Sequence, residues 1–162
     1  MSRSGYSDDY DGWASIRWRG AVKSAIRGQR GQAFLRELAA ALDAMPVKRL
    51  VADELQAEGA FCALGVVGAA RGLPLDKIDT EDWGQLSREF GISKALAREI
   101  MAENDEPSWN DNIWVDYEIC GPMRGQPHKR SAMVPDPREA EKRWGRVRQW
   151  VASQIKNEGA SA

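Results

Sequence analysis

The sequence predicts a mainly α-helical fold of about five helices in one domain, with a small β-hairpin inserted near residues 112–134. Apolar residues recur at helical spacing in most segments between 12 and 155, whereas strict alternation occurs in one stretch, around 113–120. The chain has 162 residues, 43% hydrophobic and 29% charged, a size and composition that bury one core without cross-links. Residues 1–162 are therefore expected to form a single helical domain. Within it, 107–135 is a loop and hairpin insertion and 157–162 a frayed tail.

The first helix is expected from Gly12 to Arg27, because Ala14, Trp18, Ala21, Val22 and Ala25 share one face, which reads as core. Arg19, Lys23 and Arg27 fall in a narrow sector away from that face, joined by Arg30 if the helix survives Gly28. This is a basic stripe. A second helix from Gln32 to Ala44 turns Phe34, Leu35, Leu38, Leu42 and Met45 inward and ends at Pro46. Between 48 and 60, Leu50, Val51 and Leu55 suit either a short strand or an irregular link before the turn signal Glu58-Gly59. The most apolar stretch, 60–70, reads as the central helix, ending at Gly72 and Pro74. Gly65, Gly68 and Ala69 lack bulk there, so that another backbone can approach, at about 1 kcal/mol of helix propensity per glycine.

Residues 82–104 read as two helices broken at Phe90-Gly91-Ile92, with Ser93 capping the second and Leu86 and Phe90 facing Leu96, Ala97, Ile100 and Met101. The order of turn, cap and apolar helix resembles a helix-turn-helix, although the second helix sets only Lys94 and Arg98 against Glu99 and Glu103. After Pro107, Ile113, Val115, Tyr117 and Ile119 alternate with Trp114, Asp116, Glu118 and Cys120, the period of a half-buried strand. Gly121-Pro122 turns the chain, and a second strand at Arg130–Val134 closes a hairpin. Its loop would carry Arg124, His128, Lys129 and Arg130 as a second basic patch. The last helix has Asp136 as N-cap, Pro137 at the first helical position and Glu139 two further on. Trp144, Val147, Val151 and Ile155 form its buried stripe, leaving Arg143, Arg146 and Trp150 near the surface.

A net charge of −1 hides a lopsided distribution. No acid lies between Asp11 and Glu37, where Arg17, Arg19, Lys23, Arg27, Arg30 and Arg36 all occur; Glu99 to Glu118 holds seven acids and no lysine or arginine. Either the two runs neutralise each other in the fold, or the basic one serves phosphates or an acidic partner.

Catalytic inventories fail early. His128 is the single histidine, so a Cys-His nucleophile would need it beside Cys62 or Cys120. The apolar neighbours of Cys62 point instead to an inert buried thiol. Clustered zinc ligands, EF-hand spacing and a GxxxxGK[ST] loop are all missing from the sequence, so the expectation is a non-enzyme without cofactor or metal. With neither a secretory signal nor an 18-residue apolar run, a cytoplasmic protein with reduced cysteines and no membrane partner is expected.

Several segments resemble uncharacterised proteins encoded by bacteriophages and prophages: Ser4-Gly5-Tyr6-Ser7-Asp8-Asp9, Arg17-Trp18-Arg19-Gly20-Ala21-Val22, Cys62-Ala63-Leu64-Gly65, Glu103-Asn104-Asp105-Glu106 and Cys120-Gly121-Pro122-Met123-Arg124. The run from Arg143-Trp144 to Trp150-Val151 is similar too. The resemblance implies a phage accessory protein acting inside a bacterial host, a class that often blocks host defence machinery, anti-CRISPR inhibitors among them. The expected activity is non-enzymatic binding of a host or phage macromolecular complex. Arginine and tryptophan are the usual interface anchors, and the expected contacts are Arg17, Arg19, Lys23, Arg27, Arg30, Trp109, Trp114, Arg124, Lys129 and Arg130, with Trp150 beside them. Trp18 and Trp144 read as core. The alternative is a nucleic-acid-binding phage regulator using the basic first helix or the 82–104 unit.

Overall fold

A computed structural model describes residues 12–106, 112–119 and 128–156 of the chain. The mainly helical architecture expected from the sequence is present, with six α-helices and two two-stranded antiparallel sheets among these residues. Helix α1 (Gly12–Arg27) ends where expected, and extended Gly28 (φ −66°, ψ 153°) leads at once into α2 (Gln29–Ala44). Arg30 therefore stands in the first turn of α2, not on the α1 stripe. The core edge of α1 is the i,i+4 pair Val22 and Ile26, with Trp18 and Ala25 half-buried beside it; Ala21, expected inside, is exposed. The shift follows from α1 packing against two helices, α2 and α5. Its buried line faces the crease between them.

Residues 45–62 cross the body with little regular structure. Strands β1 (Gln56–Ala57) and β2 (Ala60–Phe61) make a minimal hairpin, whose turn puts Glu58 and Gly59 at φ of 49° and 78°. Leu50 and Leu55 are buried there, so nearby backbone polar groups need partners inside the protein. Arg143 Nη1 donates to the Leu50 carbonyl (2.9 Å) and Asn104 Nδ2 to that of Val51 (2.8 Å). The Asn104 Oδ1 accepts from the Ala63 amide (3.1 Å). Helix α3 (Ala63–Ala70) thus starts three residues later than expected, because 60–61 pair with 56–57. Its cap is Cys62, whose Sγ accepts from the Gly65 amide (3.4 Å). Gly65 does admit a close backbone, although that of the irregular segment: a Cβ there would lie 1.8 Å from the Leu55 carbonyl oxygen.

Helices α4 (Trp83–Phe90) and α5 (Lys94–Asp105) follow the sequence reading closely. Gly91 closes α4 at φ 67°, and Ser93 Oγ accepts from the Leu96 amide (3.2 Å). The Phe90 ring meets that of Phe34 edge to face, centroids 6.4 Å apart. Helix α5 packs on α1, α3, α4 and α6 and buries Ala95, Leu96, Ala97, Ile100, Met101, Ala102 and Asn104. It, as much as α3, is the centre of the fold. Helix α6 (Glu139–Gln154) buries Val147 and Val151 against α2 and α5, with Trp144, Trp150 and Ile155 half-buried at its sides.

Two expectations for α6 are corrected. Asp136 is not the N-cap: that position falls to Arg138, which has no side-chain cap bond, because the Asp136 carboxylate accepts from the Arg138 amide (2.8 Å) and pairs with Lys142 (2.6 Å), holding a Pro137-Arg138 turn that delays the first helical residue to Glu139. Arg143, expected at the surface, is only 4% exposed, because its guanidinium reaches inward to Leu50 and pairs with Glu139.

Strands β3 (Asn112–Ile119) and β4 (His128–Pro135) pair Ile113 with Val134 through Ile119 with His128. His128, Lys129 and Arg130, expected in the loop, are strand residues, because the second strand starts two residues earlier than predicted. The half-buried reading fails as well among the side chains described, since Ile113, Ala132 and Val134 are partly covered but Val115 and Tyr117 are exposed on the same face. Trp109, Cys120, Arg124 and the 157–162 tail lie outside the described residues. No described helix is long and apolar enough to cross a membrane.

Two glycines should respond oppositely to alanine. Gly65→Ala collides with backbone and is expected to destabilise by at least about 2 kcal/mol, whereas Gly20→Ala meets nothing and should stabilise by up to about 1 kcal/mol. Chemical denaturation of the two variants checks the contrast.

The pH dependence of stability has a similar handle at Glu103. Burial, with repulsion from Glu99 and Glu106, raises its carboxyl pKa against the pull of Arg146. The native state then holds its proton to higher pH than the unfolded chain, so stability falls as pH rises through that interval. Glu103→Gln is expected to be more stable than the wild type at pH 7 and to lose that advantage below about pH 4, in urea titrations across pH.

Candidate binding surfaces

The basic stripe lines a groove. Arg19, Lys23 and Arg27 of α1 face Ser153 and Gln154 of α6 and Lys156 just beyond it, around a space of about 480 Å³ floored by Val22 and Ile26. Lys156 Nζ donates to the Arg27 carbonyl (3.0 Å), neutralising the negative end of α1. The buried Gln32 fixes the joint: its Nε2 donates to the carbonyls of Ile26 and Gln154, both 2.9 Å, and its Oε1 accepts from the Lys156 amide (2.7 Å). The Gln32 side chain thereby holds backbone more than 120 residues away in sequence.

Of the acidic run, only Glu99 lines the groove; Glu103 turns toward Arg146 and Asp105 accepts from the Asp53 amide (3.2 Å). Arg19, Lys23, Arg27 and Arg30 form no ion pair with any described residue. The basic stripe is thus weakly neutralised, unlike Arg71, Arg143 and Arg148, which are paired with Glu37, Glu139 and Asp43. Bonding to Arg148 in turn lowers the Asp43 pKa. Exposed Arg17 lies across α1 from Arg19, about 200° away, and does not join the stripe.

One feature of α1 escaped the sequence reading. Trp13 and Ile16 are 75% and 62% exposed, and they continue through Gly20 to Lys23 and Arg27 on one solvent-facing line. The signal was legible as steps of three and four in the positions 13, 16, 20, 23 and 27, but it does not coincide with the core line.

Trp18 and Trp83 are occupied otherwise. The Arg98 guanidinium lies 4.3 Å from the Trp18 ring centre and 5.6 Å from that of Trp83, tying α1 and α4 to α5. Because α5 is enclosed by four helices and its Arg98 is used in this way, it offers no open face to a DNA groove.

The β3–β4 ribbon is the other unusual surface. Trp114 (69% exposed) stands opposite Met133 (58% exposed) on one face, and Tyr117 opposite exposed Arg130 on the other. Asp116 accepts from Ser131 Oγ (2.5 Å) between the ribbon's ends. Cys62 is fully buried, away from any reagent or substrate. Among the described residues no three His, Cys, Asp or Glu side chains converge as metal ligands would. No protein-family model, curated protein or solved structure matches the chain.

Proposed function

We propose that the chain is a non-enzymatic binding protein, of the phage accessory kind that its sequence resembles, which engages a bacterial host protein complex through the β3–β4 ribbon. The observation that carries this reading is the exposure of Trp114 and Met133 as a cross-strand pair, with Val115 and Tyr117 exposed on the opposite face. Solvated tryptophan and methionine contribute nothing to the chain's own core, and such residues anchor protein interfaces when a partner desolvates them. A two-stranded ribbon is also marginal alone. Its described charges, Asp116, Glu118 and Arg130, are of both signs, which suits a protein surface better than a polyanion. Blocking a host defence complex is the role such a partner implies.

Tagged protein recovered from nuclease-treated lysate of infected host cells tests the reading, with Trp114→Ala/Met133→Ser as the variant. Capture of one stoichiometric protein complex is expected, weakened at least about thirtyfold in affinity by the double change, since a single hot-spot anchor is worth about 2 kcal/mol. The variant should keep the wild-type melting temperature. Undiminished capture by the variant, or a ribbon change that only alters self-association of the chain, would overturn it.

A further inference from the structure

We propose that the exposed face of α1, with the groove it forms beside the end of α6, binds single-stranded nucleic acid, the cations following the backbone and Trp13 stacking on a base. This goes beyond the ribbon reading and uses none of its residues.

Three independent observations converge on the assignment. The first is charge: Arg19, Lys23, Arg27 and Lys156 surround the groove against Glu99 alone. Lys23 and Arg27 lie four residues apart, about 6 Å along the axis, and Lys156 carries the row across to the neighbouring helix. Only one end of the row is drawn toward protein, through the Lys156 bond to Arg27.

The second is the indole in line with that row. Trp13 is the most exposed large apolar residue described, and Ile16 follows one turn later on the way to Lys23. An aromatic ring beside a cationic track is the arrangement that sequence-tolerant single-strand binders use. An acidic peptide would occupy the cations but offers Trp13 a ring only where it happens to carry an aromatic residue, whereas a single strand presents one at every nucleotide. A duplex presents its bases stacked, and its convex backbone would meet the rim rather than the Val22–Ile26 floor.

The third is Gly20, in the middle of a 16-residue helix between Ile16 and Lys23. Its φ is not positive and an added Cβ would touch no described residue, so the described fold gains nothing from glycine there and loses helix propensity. Absence of a side chain serves instead the close approach of something from outside. Gly20 is the low point over which a strand passes from Trp13 to the cations.

The test is fluorescence anisotropy of the purified full chain with a labelled mixed-sequence single-stranded DNA, its RNA counterpart and the matching duplex. Four backbone contacts imply that affinity for the single strands falls about 50-fold between 50 and 200 mM salt. Lys23→Glu/Arg27→Glu should weaken binding at least tenfold, while Arg49→Glu/Lys77→Glu, with the same change in net charge, should not. Trp13→Ala should weaken it without flattening the salt dependence. Gly20→Leu should melt no lower than the wild type yet bind at least tenfold more weakly, and Trp114→Ala should bind normally. The proposal is overturned if the control reversal weakens binding as much as the groove reversal, if the duplex is preferred, or if polyglutamate competes as well as DNA. It is overturned equally if Gly20→Leu and Trp13→Ala bind like the wild type, or if no binding occurs at 50 mM salt.

Discussion

The fold depends on satisfying the backbone of the irregular segment 48–62 as it passes through the core. Leu50, Leu55 and Cys62 are buried with almost no strand or helix around them, and unsatisfied peptide groups at such depth would cost more than their side chains contribute. The remedy is local in space and remote in sequence. Asn104, fully buried at the end of α5, bonds the Val51 carbonyl and the Ala63 amide at once, while Arg143 of α6 reaches the Leu50 carbonyl. The Leu50 amide in turn donates to Ala140 (3.0 Å) and the Leu55 carbonyl accepts from Cys62 (3.1 Å). With both edges held, the segment can press against Gly65, and α3 can start where it does. Losing one partner strands two backbone groups, which makes Asn104 a structural keystone although it looks like an ordinary polar residue.

This explains which parts of the fold were legible in the sequence. Periodicity located α1, α2, α5 and α6 because each buries an edge against a neighbouring helix, and Gly91-Ile92-Ser93 announced its own turn and cap through φ and hydroxyl chemistry that operate within a few residues. Arg143 was misread for the complementary reason. Its charge says surface, and the carbonyl that draws it inward lies 93 residues away. The extent of the central apolar helix was misjudged similarly, since a pairing of two residues with two, at Gln56–Ala57 and Ala60–Phe61, is too short to leave a period. The ribbon's alternation was read correctly as strand and wrongly as half-buried, because alternation shows that two faces differ and not that either is covered.

The candidate surfaces show the same division. The basic stripe of α1 was visible as sequence, but its completion by Ser153, Gln154 and Lys156 required the joint that Gln32 makes between three helix ends. Of the described acids in the 99–118 run, only Glu99 answers it. Glu99 and Glu103 stand one turn apart on one side of α5 and Asp105 on another, so that Glu99 lines the groove, Glu103 meets Arg146 and Asp105 meets Asp53, while Asp116 and Glu118 belong to the ribbon. Charges sorted along the chain are therefore not cancelled in space, and one face of α1 keeps its field.

Gly65 and Gly20 bring folding and function into one comparison. Both sit inside helices and both incur the same propensity loss. At Gly65 the reason is internal, since the Leu55 carbonyl occupies the place of a side chain. At Gly20 no described atom does so, and the residues before and after it, Trp13, Ile16, Lys23 and Arg27, are of the kinds that recognise rather than pack. A helix that buries Val22 and Ile26 on one edge has no folding need for tryptophan and isoleucine on the other. The same holds for the Trp114–Met133 pair on a ribbon that adds little to the core. Among the described residues, both surfaces thus depart from the demands of the fold, and that departure is what supports the binding proposals.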